Sequence, residues 1–326
     1  MDNHTPYPAG LARMLYRKDR VAAAALVRVT YDLNGEELVP SDTQPWLVSN
    51  EPWEGPQGAM ASDLVFYRGG VDVFLFANAV PEGGRPTTQM EVAVHIGEQF
   101  SRRVWVFGPR VWQRRPGGLE ATAPRPFSSM PLELGQAYGG EDDWDGLTVP
   151  YVENPEGRGF YLSEDSAVAR PLPHIEDPEH LIEKWDERPS PVGLVPMPLS
   201  SPLRAKTGVA QFEGGRVEIK PRFFNAAFPE MVASHVDPGD LVMISGVSAS
   251  GPLRLRLPYH RLCVRLRFGT EVYEHPLAID QVGFEVEARR VFIAYRFPFR
   301  YVLHELQERS CELFEGAPAA ESEVCS

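Results

Sequence analysis

The sequence predicts a mainly β protein, with one or two packed β-sandwich-like lobes, a long ordered loop-rich middle region and a short C-terminal helix. Apolar and polar residues alternate over short runs, and glycine pairs or Asn-Gly separate those runs. The 326 residues include 31 prolines, about twice the usual share, without any periodic repeat. Short alternating strands between frequent turns are typical of a sandwich or barrel, in contrast to a parallel βαβ fold.

The N-terminal lobe is expected to span residues 10–128. Residues 21–33 end in alternating β-branched and polar positions before Asn34-Gly35, a pair that supplies the positive φ angles of a tight turn. A strand–turn–strand unit is therefore predicted through residue 39. Further strands of the same kind are predicted at residues 64–67, 71–76, 89–96 and 103–112.

The middle segment is expected to span residues 129–207. Regular periodicity fades over residues 116–192, where Pro, Gly, Asp and Trp accumulate. A long loop in a compact domain is usually functional or disordered. Ordered, packed loops are expected here because the region is rich in aromatic residues, namely Phe127, Tyr138, Trp144, Tyr151, Phe160, Tyr161 and Trp185. One short helix is predicted at residues 178–186, with Pro178 in its first turn.

The C-terminal lobe is expected to span residues 208–314 and to return to short strands. These are predicted at residues 215–224, 241–247, 253–257, 261–268, 271–276 and 282–295. A closing helix is predicted at residues 302–313, where Leu303, Leu306 and Leu313 fall partly in helical register and Gly316 provides a stop. Residues 315–326 are expected to form a flexible tail.

The chain is acidic, with a formal net charge of −13 and a pI near 5.2. Nucleic acids and anionic membranes require a basic surface, so neither is expected as a partner. One local exception gathers five arginines within 14 residues. These arginines fit a solvated strand face that balances nearby acids, or a site that grips an acidic partner segment. They are Arg102, Arg103, Arg110, Arg114 and Arg115.

The cysteines and the N-terminus favour a cytoplasmic protein. Cys263, Cys311 and Cys325 fit neither a disulfide framework nor a zinc ribbon, which agrees with a reducing compartment. No small-residue cleavage site follows a suitable apolar stretch near the N-terminus. The apolar run at residues 22–29 is too short to cross a bilayer, so no membrane insertion is expected.

Two groups of residues were candidates for metal binding. His174, Glu176 and His180 are possible zinc ligands, but their spacing and the flanking Pro173 and Pro178 do not place them on one helical face. The acidic run at residues 141–145 lacks the alternation and closing glutamate of a calcium loop, and its Trp144 is an alternative anchor for a partner. No metal and no cofactor are predicted.

Signals for catalysis are weak. The sequence contains no Gly-x-Ser-x-Gly elbow and no glycine-rich phosphate loop. Glycoside hydrolysis needs two carboxyl groups at a defined separation, which the sequence does not fix. The candidates for such a pair are Asp142, Asp143, Glu153 and Glu176. A carboxylate-dependent hydrolase stays open as an alternative.

Four segments in the middle region carry a family resemblance by their order. They are Ala137-Tyr138-Gly139-Gly140, then Asn154-Pro155-Glu156-Gly157-Arg158-Gly159-Phe160, then Leu172-Pro173-His174-Ile175-Glu176-Asp177-Pro178, then Pro191-Val192-Gly193-Leu194-Val195-Pro196. Together they resemble the bacterial family known as domain of unknown function 2169. Support comes from Ser62-Asp63 with Val71-Asp72-Val73, and from Arg222-Phe223-Phe224-Asn225-Ala226-Ala227.

This resemblance implies an accessory role in type VI secretion. Related proteins act as adaptors or chaperones that hold a toxic effector and help load it onto the secretion spike. The expected partners are an effector, encoded by a neighbouring gene, and the spike protein. The other alternative is that the chain is itself a structural component of a contractile secretion apparatus. The residues expected to bind the partner or to shape the scaffold are Tyr138, Gly139, Gly140, Trp144, Asn154, Pro155, Gly157, Arg158, Gly159, Phe160, Glu176 and Asn225.

The scaffold interpretation explains most of these residues. The glycines supply backbone conformations that other residues rarely adopt, and Asn154-Pro155 fixes a turn. Glu176 and Arg158 are predicted to pair and to brace the loops. Partner contacts would then come from neighbouring positions, either through exposed apolar surface or by strand addition at an open sheet edge.

Overall fold

The computed structural model describes residues 1–211, 217–304 and 306–316. Strands account for 49% of the structure and helices for 7%, which confirms the mainly β prediction. The described α-helices are short: α1 (Glu164–Ala167) and α2 (Leu203–Gly208). Single 3₁₀ turns lie at Glu82–Gly84, Leu134–Gln136, Pro221–Phe224 and Pro229–Met231.

The strands follow one another along the whole described chain. The first fourteen are β1 (Asp2–Asn3), β2 (Ala9–Arg17), β3 (Arg20–Asn34), β4 (Glu37–Pro40), β5 (Trp53–Gly55), β6 (Gly58–Met60), β7 (Val71–Phe76), β8 (Asn78–Ala79), β9 (Gln89–Ile96), β10 (Phe100–Phe107), β11 (Trp112–Arg115), β12 (Gly118–Ala121), β13 (Met130–Pro131) and β14 (Tyr138–Gly139). The others are β15 (Glu141–Trp144), β16 (Leu147–Pro150), β17 (Arg158–Gly159), β18 (Ile175–Glu176), β19 (Val209–Gln211), β20 (Val217–Ile219), β21 (Val232–Ala233), β22 (Leu241–Ser245), β23 (Leu253–Arg256), β24 (Leu262–Phe268), β25 (Glu271–Pro276), β26 (Ala278–Glu285), β27 (Arg290–Val302) and β28 (Arg309–Glu315).

A seven-stranded sheet forms the centre of the molecule. Its strand order is β2-β3-β27-β26-β7-β21, and β4 pairs with β3 beyond the end of β2. The longest ladder joins β3 to β27, from Arg20 opposite Val302 to Asp32 opposite Arg290. β7 and β26 pair in parallel although about 200 residues separate them along the chain. The predicted hairpin at Asn34-Gly35 is confirmed as the β3–β4 turn.

Two smaller sheets pack with the seven-stranded sheet. Their orders are β18-β10-β9-β22-β23 and β1-β28-β24-β25. One hydrophobic cluster contains side chains from all three sheets, including Val29 of β3, Val94 of β9 and Val264 of β24. Strands from the predicted N-terminal and C-terminal lobes therefore lie side by side, as β7 does with β26 and β9 with β22.

The predicted closing helix is wrong. Residues 309–315 form β28, which pairs with β24 and buries alternate side chains such as Cys311 and Leu313. Leu303 and Leu306, whose spacing suggested the helix, are exposed. Burial with a period of two is the strand pattern, and pairing with β24 overrides the weak helical spacing. Residues 317–326 of the predicted tail, with Cys325, lie outside the described residues.

Three other local predictions are also wrong. Residues 178–186 form turns and bends instead of a helix. Residues 64–67 are not a strand, because the Arg296 guanidinium binds the carbonyl oxygens of Asp63 and Val65 that a ladder would otherwise use. In the predicted C-terminal lobe, the strand expected at residues 215–224 ends early, because residues 221–224 form a 3₁₀ turn after β20.

Buried charges connect the seven-stranded sheet to the segment before β7. Arg68 contacts Asp72 at 3.1 Å and Asp280 at 2.7 Å, and Arg296 contacts Asp280 at 3.0 Å. Burial alone would raise the pKa of Asp280, but Arg296 and Arg68 hold it below its usual value. These four residues are called the ionic centre below. Beside it, Arg28 pairs with Asp63, and both side chains are almost completely buried.

Arg68→Met should destabilise the protein by about 3–5 kcal/mol, because Asp72 and Asp280 would lose a buried counter-charge. Urea unfolding followed by circular dichroism measures this change. Arg114→Ala is the control, since Arg114 forms ion pairs that are largely exposed. Its expected effect is about 1 kcal/mol or less. Equal effects of the two substitutions would contradict the role of the ionic centre.

Candidate functional site

The glycine-rich stretch, residues 138–160, folds back so that its two ends pair around one buried asparagine. Tyr138-Gly139 forms β14 and pairs in parallel with Arg158-Gly159, which forms β17. Asn154 is fully buried, and its Nδ2 donates to the carbonyl oxygens of Leu134 at 2.9 Å and Tyr138 at 3.0 Å. Two segments of the family-like pattern are thus joined by one side chain.

The glycines next to Asn154 are required by close packing. A Cβ atom at Gly139 would lie 2.1 Å from the Asn154 carbonyl oxygen, and one at Gly157 would lie 2.5 Å from Asn154 Nδ2. Real Cβ contacts are longer than either distance. Gly140 donates its N–H to the Asn154 oxygen at 2.8 Å, and Pro155 occupies the turn that follows. This part of the pattern therefore shapes the scaffold.

A small aromatic core lies beneath the stretch. Its buried members are Trp112, Tyr138, Phe160, Tyr161, Ala167, Leu172 and Ile182. The rings of Tyr138 and Tyr151 meet edge to face at 5.0 Å. Their hydroxyls donate to the carbonyl oxygens of Glu187 and Pro189. Burial raises the pKa of Tyr138 to about 12, so its phenol stays a neutral donor that ties the loops together.

Glu176 is fixed by Arg110 and not by Arg158. One Glu176 carboxylate oxygen binds the Arg110 guanidinium, and the other accepts the Ile182 N–H at 2.9 Å. Burial raises the pKa of Glu176, although the charge of Arg110 opposes that rise. Arg158 instead donates from Nε to the Gly135 oxygen at 2.8 Å, so the predicted Glu176–Arg158 pair is wrong. Strand β18 carries Glu176 next to β10, at the side of the fold where Arg110 lies.

A cavity of about 450 Å³ lies between the first, third and fourth of the segments that carry the family resemblance. Tyr138, Glu176, Asp177 and Val192 contribute to its lining. Arg102 pairs with Asp177 at 3.0 Å at the same cavity. Both acids are thus already bound to arginines, and the arrangement braces the loops. Acid–base chemistry by Glu176 would compete with these contacts.

The hairpin of β15 and β16 is the most exposed apolar part of this region. Trp144 pairs with Leu147 at its tip, and the two residues are 59% and 69% exposed. Asp142 anchors its base, accepting hydrogen bonds from Leu162 N at 2.8 Å and Ser166 Oγ at 2.6 Å. Burial would raise the pKa of Asp142, but these hydrogen bonds bring it below its usual value. The hairpin is therefore firmly attached and its tip is free.

Acidic side chains surround the apolar tip. Glu141, Asp143 and Asp145 are all exposed along the hairpin, and Val152, 65% exposed, follows it. The Asp143 carboxylate accepts the Gly146 N–H at 3.0 Å and fixes the turn. A partner that covers this tip needs an apolar pocket with basic residues around it.

A family model described as "Uncharacterized protein conserved in bacteria (DUF2169)" matches residues 18–296. The chain belongs to this bacterial family. Comparisons with curated proteins and with solved structures give no match. The DUF2169 match covers all four middle segments, whereas β2 and β28 lie outside its limits.

Asn225, the candidate outside the middle region, lies at the ionic centre. Its Oδ1 accepts the Gly69 N–H at 2.9 Å and its Nδ2 donates to Asp72 Oδ1 at 2.8 Å. It is buried. In this DUF2169 protein the Phe-Asn-Ala-Ala segment therefore stabilises the scaffold and offers no Asn225 surface to a partner.

Two of the three residues weighed as zinc ligands have other contacts. His174 is buried and its Nδ1 lies 2.9 Å from the Phe107 oxygen, while Glu176 binds Arg110. Burial lowers the pKa of His174. Across the described residues of the DUF2169 chain, no group of three or more His, Cys, Asp and Glu side chains is placed to hold a metal ion. Neither described α-helix has the length and apolar content that a membrane crossing requires.

Most of the clustered arginines face acids of the same chain. The pairs are Arg102 with Asp177, Arg103 with Glu91, Arg110 with Glu176, and Arg114 with Glu164 and Asp165. These contacts agree with the charge-balancing interpretation. The ionic centre was not predicted, although Arg28 and Asp72 interrupt apolar strands, the signal that could have identified buried charge.

Gly139→Ala should lower the free energy of unfolding by about 3 kcal/mol, because the new Cβ would collide with the Asn154 backbone. Gly146→Ala is the matched control. Gly146 also has a positive φ, +78°, but no atom lies within 4 Å of its added Cβ. Its expected loss is about 1 kcal/mol. Thermal and urea unfolding test the difference, and similar losses would show that packing around Asn154 is unimportant.

Proposed function

We propose that this DUF2169 protein is a non-catalytic adaptor or chaperone in the bacterial cytoplasm. It binds a toxic effector and assists its loading onto a type VI secretion spike. The resemblance of the middle segments suggests the secretion system. The observation that carries the binding role is the anchored hairpin with the exposed pair Trp144 and Leu147.

The hairpin suits protein recognition for a physical reason. A Trp side chain buries roughly 150–250 Å² of surface when a partner covers it. Its attachment through Asp142 reduces the entropy lost on binding, since the strand pair is already ordered. The acids around the tip favour partners with a basic rim and speed their association.

The stiff body beneath the hairpin supports the same role. Tyr138, Asn154 and Phe160 lie inside the fold, so the region is held by its own core and not by a partner. Their contacts keep the hairpin in one orientation, while its tip residues make few contacts with the remaining protein. Binding would then bury Trp144 and Leu147 without unfolding the motif.

Substitution of Trp144→Ser together with Leu147→Ser should weaken effector binding about 30-fold or more, because central aromatic anchors dominate interface energies. The protein is co-expressed with the product of the neighbouring gene, purified as a complex and measured by calorimetry. Tyr259→Ser is the control, since Tyr259 is 65% exposed elsewhere on the molecule. The unfolding temperature should hardly change in either variant.

A secretion assay tests the remaining part of the proposal. Deleting the gene should lower both the abundance and the secretion of the effector, and the hairpin variant should reproduce that loss. Unchanged effector abundance and secretion after deletion would overturn the adaptor role. Full binding by the hairpin variant would overturn the assignment of the binding surface.

A further inference from the structure

Strand β2 is an open edge of the seven-stranded sheet. Among the described residues, only β3 pairs with it. The backbone N–H of Arg28 in β3 donates to the backbone oxygen of Pro8 at 2.9 Å. In an antiparallel pair, residues alternate between those whose backbone groups bond the partner strand and those whose groups point away from it, so this bond fixes the alternation along β2. The backbone groups of Leu11, Arg13 and Leu15 consequently point away from β3. Such groups can pair with another strand.

The side chains of β2 are unusual for an exposed edge. Met14, Leu15 and Tyr16 are consecutive apolar residues, and they are 55%, 59% and 38% exposed. Edge strands are commonly short, whereas β2 has nine residues and leaves this apolar run largely exposed between Arg13 and Arg17. The run is therefore suited to contact with a partner.

The charge at this edge is opposite to that of the whole protein. The end of β2 and the turn into β3 carry four basic residues and one acidic residue in a chain of net charge −13. They are Arg13, Arg17, Lys18, Asp19 and Arg20. An antiparallel pair of β2 strands from two copies, joined through the outward-facing residues, would place Arg13 opposite the Arg13 of the other copy, which is unfavourable. An acidic strand from a different protein is electrostatically complementary.

A cleft beside the edge can receive side chains from an added strand. It has a volume of about 160 Å³ and includes Leu11 and Arg13 of β2, with Phe299 and Tyr301 of β27 and Phe268 of β24 in its lining. The register places Arg13 in line with Ala23 and Phe299, on the same face of the sheet. Alternate side chains of an incoming strand would lie over this cleft.

We propose that β2 is a strand-addition site for an extended, apolar segment of a partner protein that carries acidic residues. Backbone hydrogen bonds to Leu11, Arg13 and Leu15 supply affinity that does not depend on sequence. The basic residues select acidic segments, and the exposed side chains of Met14, Leu15 and Tyr16 favour apolar ones. This site is separate from the Trp144 hairpin, so either proposal can fail without the other.

The test uses a fluorescein-labelled synthetic peptide of about nine residues, the length of β2, that alternates valine and glutamate. A second peptide has lysine in place of each glutamate. Fluorescence anisotropy with the full chain should show saturable binding of the glutamate peptide, at least about tenfold tighter than the lysine peptide. The Trp144→Ser, Leu147→Ser variant should bind it normally.

Leu15→Pro should weaken the glutamate peptide about tenfold, because proline removes an outward N–H while leaving the pairing with β3. The matched control is Val272→Pro on β25, the open edge of the four-stranded sheet. Val272 belongs to the same outward-facing set as Pro276, since the Leu277 N–H donates to the Leu262 oxygen. This control should leave peptide binding unchanged.

Arg13→Glu keeps the proposal testable if Leu15→Pro does not fold. It should weaken the glutamate peptide and strengthen the lysine peptide, each about fivefold. Equal binding of the two peptides by the wild-type protein would overturn the proposal, as would equal effects of the two proline variants. A dimer seen by sedimentation and abolished by Leu15→Pro would assign β2 to a second copy and would likewise overturn it.

Discussion

The ionic centre determines how the long strands of this protein fit together. Its charges are buried, and a buried charge is tolerated only when a partner and further hydrogen bonds compensate its desolvation. Arg68 lies in the segment before β7 and Asp72 in β7 itself, whereas Asp280 and Arg296 come from β26 and β27. A shift of one residue between these strands would separate the charges. The network thus favours one register of these strands over its neighbours.

Part of the fold can be predicted because local sequence contains the necessary information. Asn34-Gly35 and the apolar runs that became β3, β7 and β9 satisfy simple rules for turns and strands. The predicted helix after β27 fails because three leucines allow a helical spacing, while pairing with a strand far away in sequence decides the outcome. The side-by-side arrangement of β7 and β26 depends on a pairing that no local pattern contains.

The candidate site shows the same division. Order and composition of the glycine-rich segments are sufficient to indicate the family, and Trp144 stands out because it is an aromatic residue within an acidic run. The partners of the buried polar groups are not predictable in this way. Glu176 binds an arginine 66 positions earlier, and Asn154 binds carbonyl oxygens that no residue type identifies. The residues that indicate the family are therefore mostly buried, whereas Trp144 and Leu147 at the hairpin tip are exposed.

The pairing of strands distant in sequence has a consequence for biosynthesis. β3 is almost entirely apolar from Val21 to Val27 and is covered along its length by β27, whose last residue is Val302. A ribosome adding roughly 5–20 residues per second needs more than about ten seconds to reach that point after making β3. During this interval the apolar residues of β3 are not yet covered by β27. Folding of the central sheet therefore cannot be completed before β27 has been synthesised.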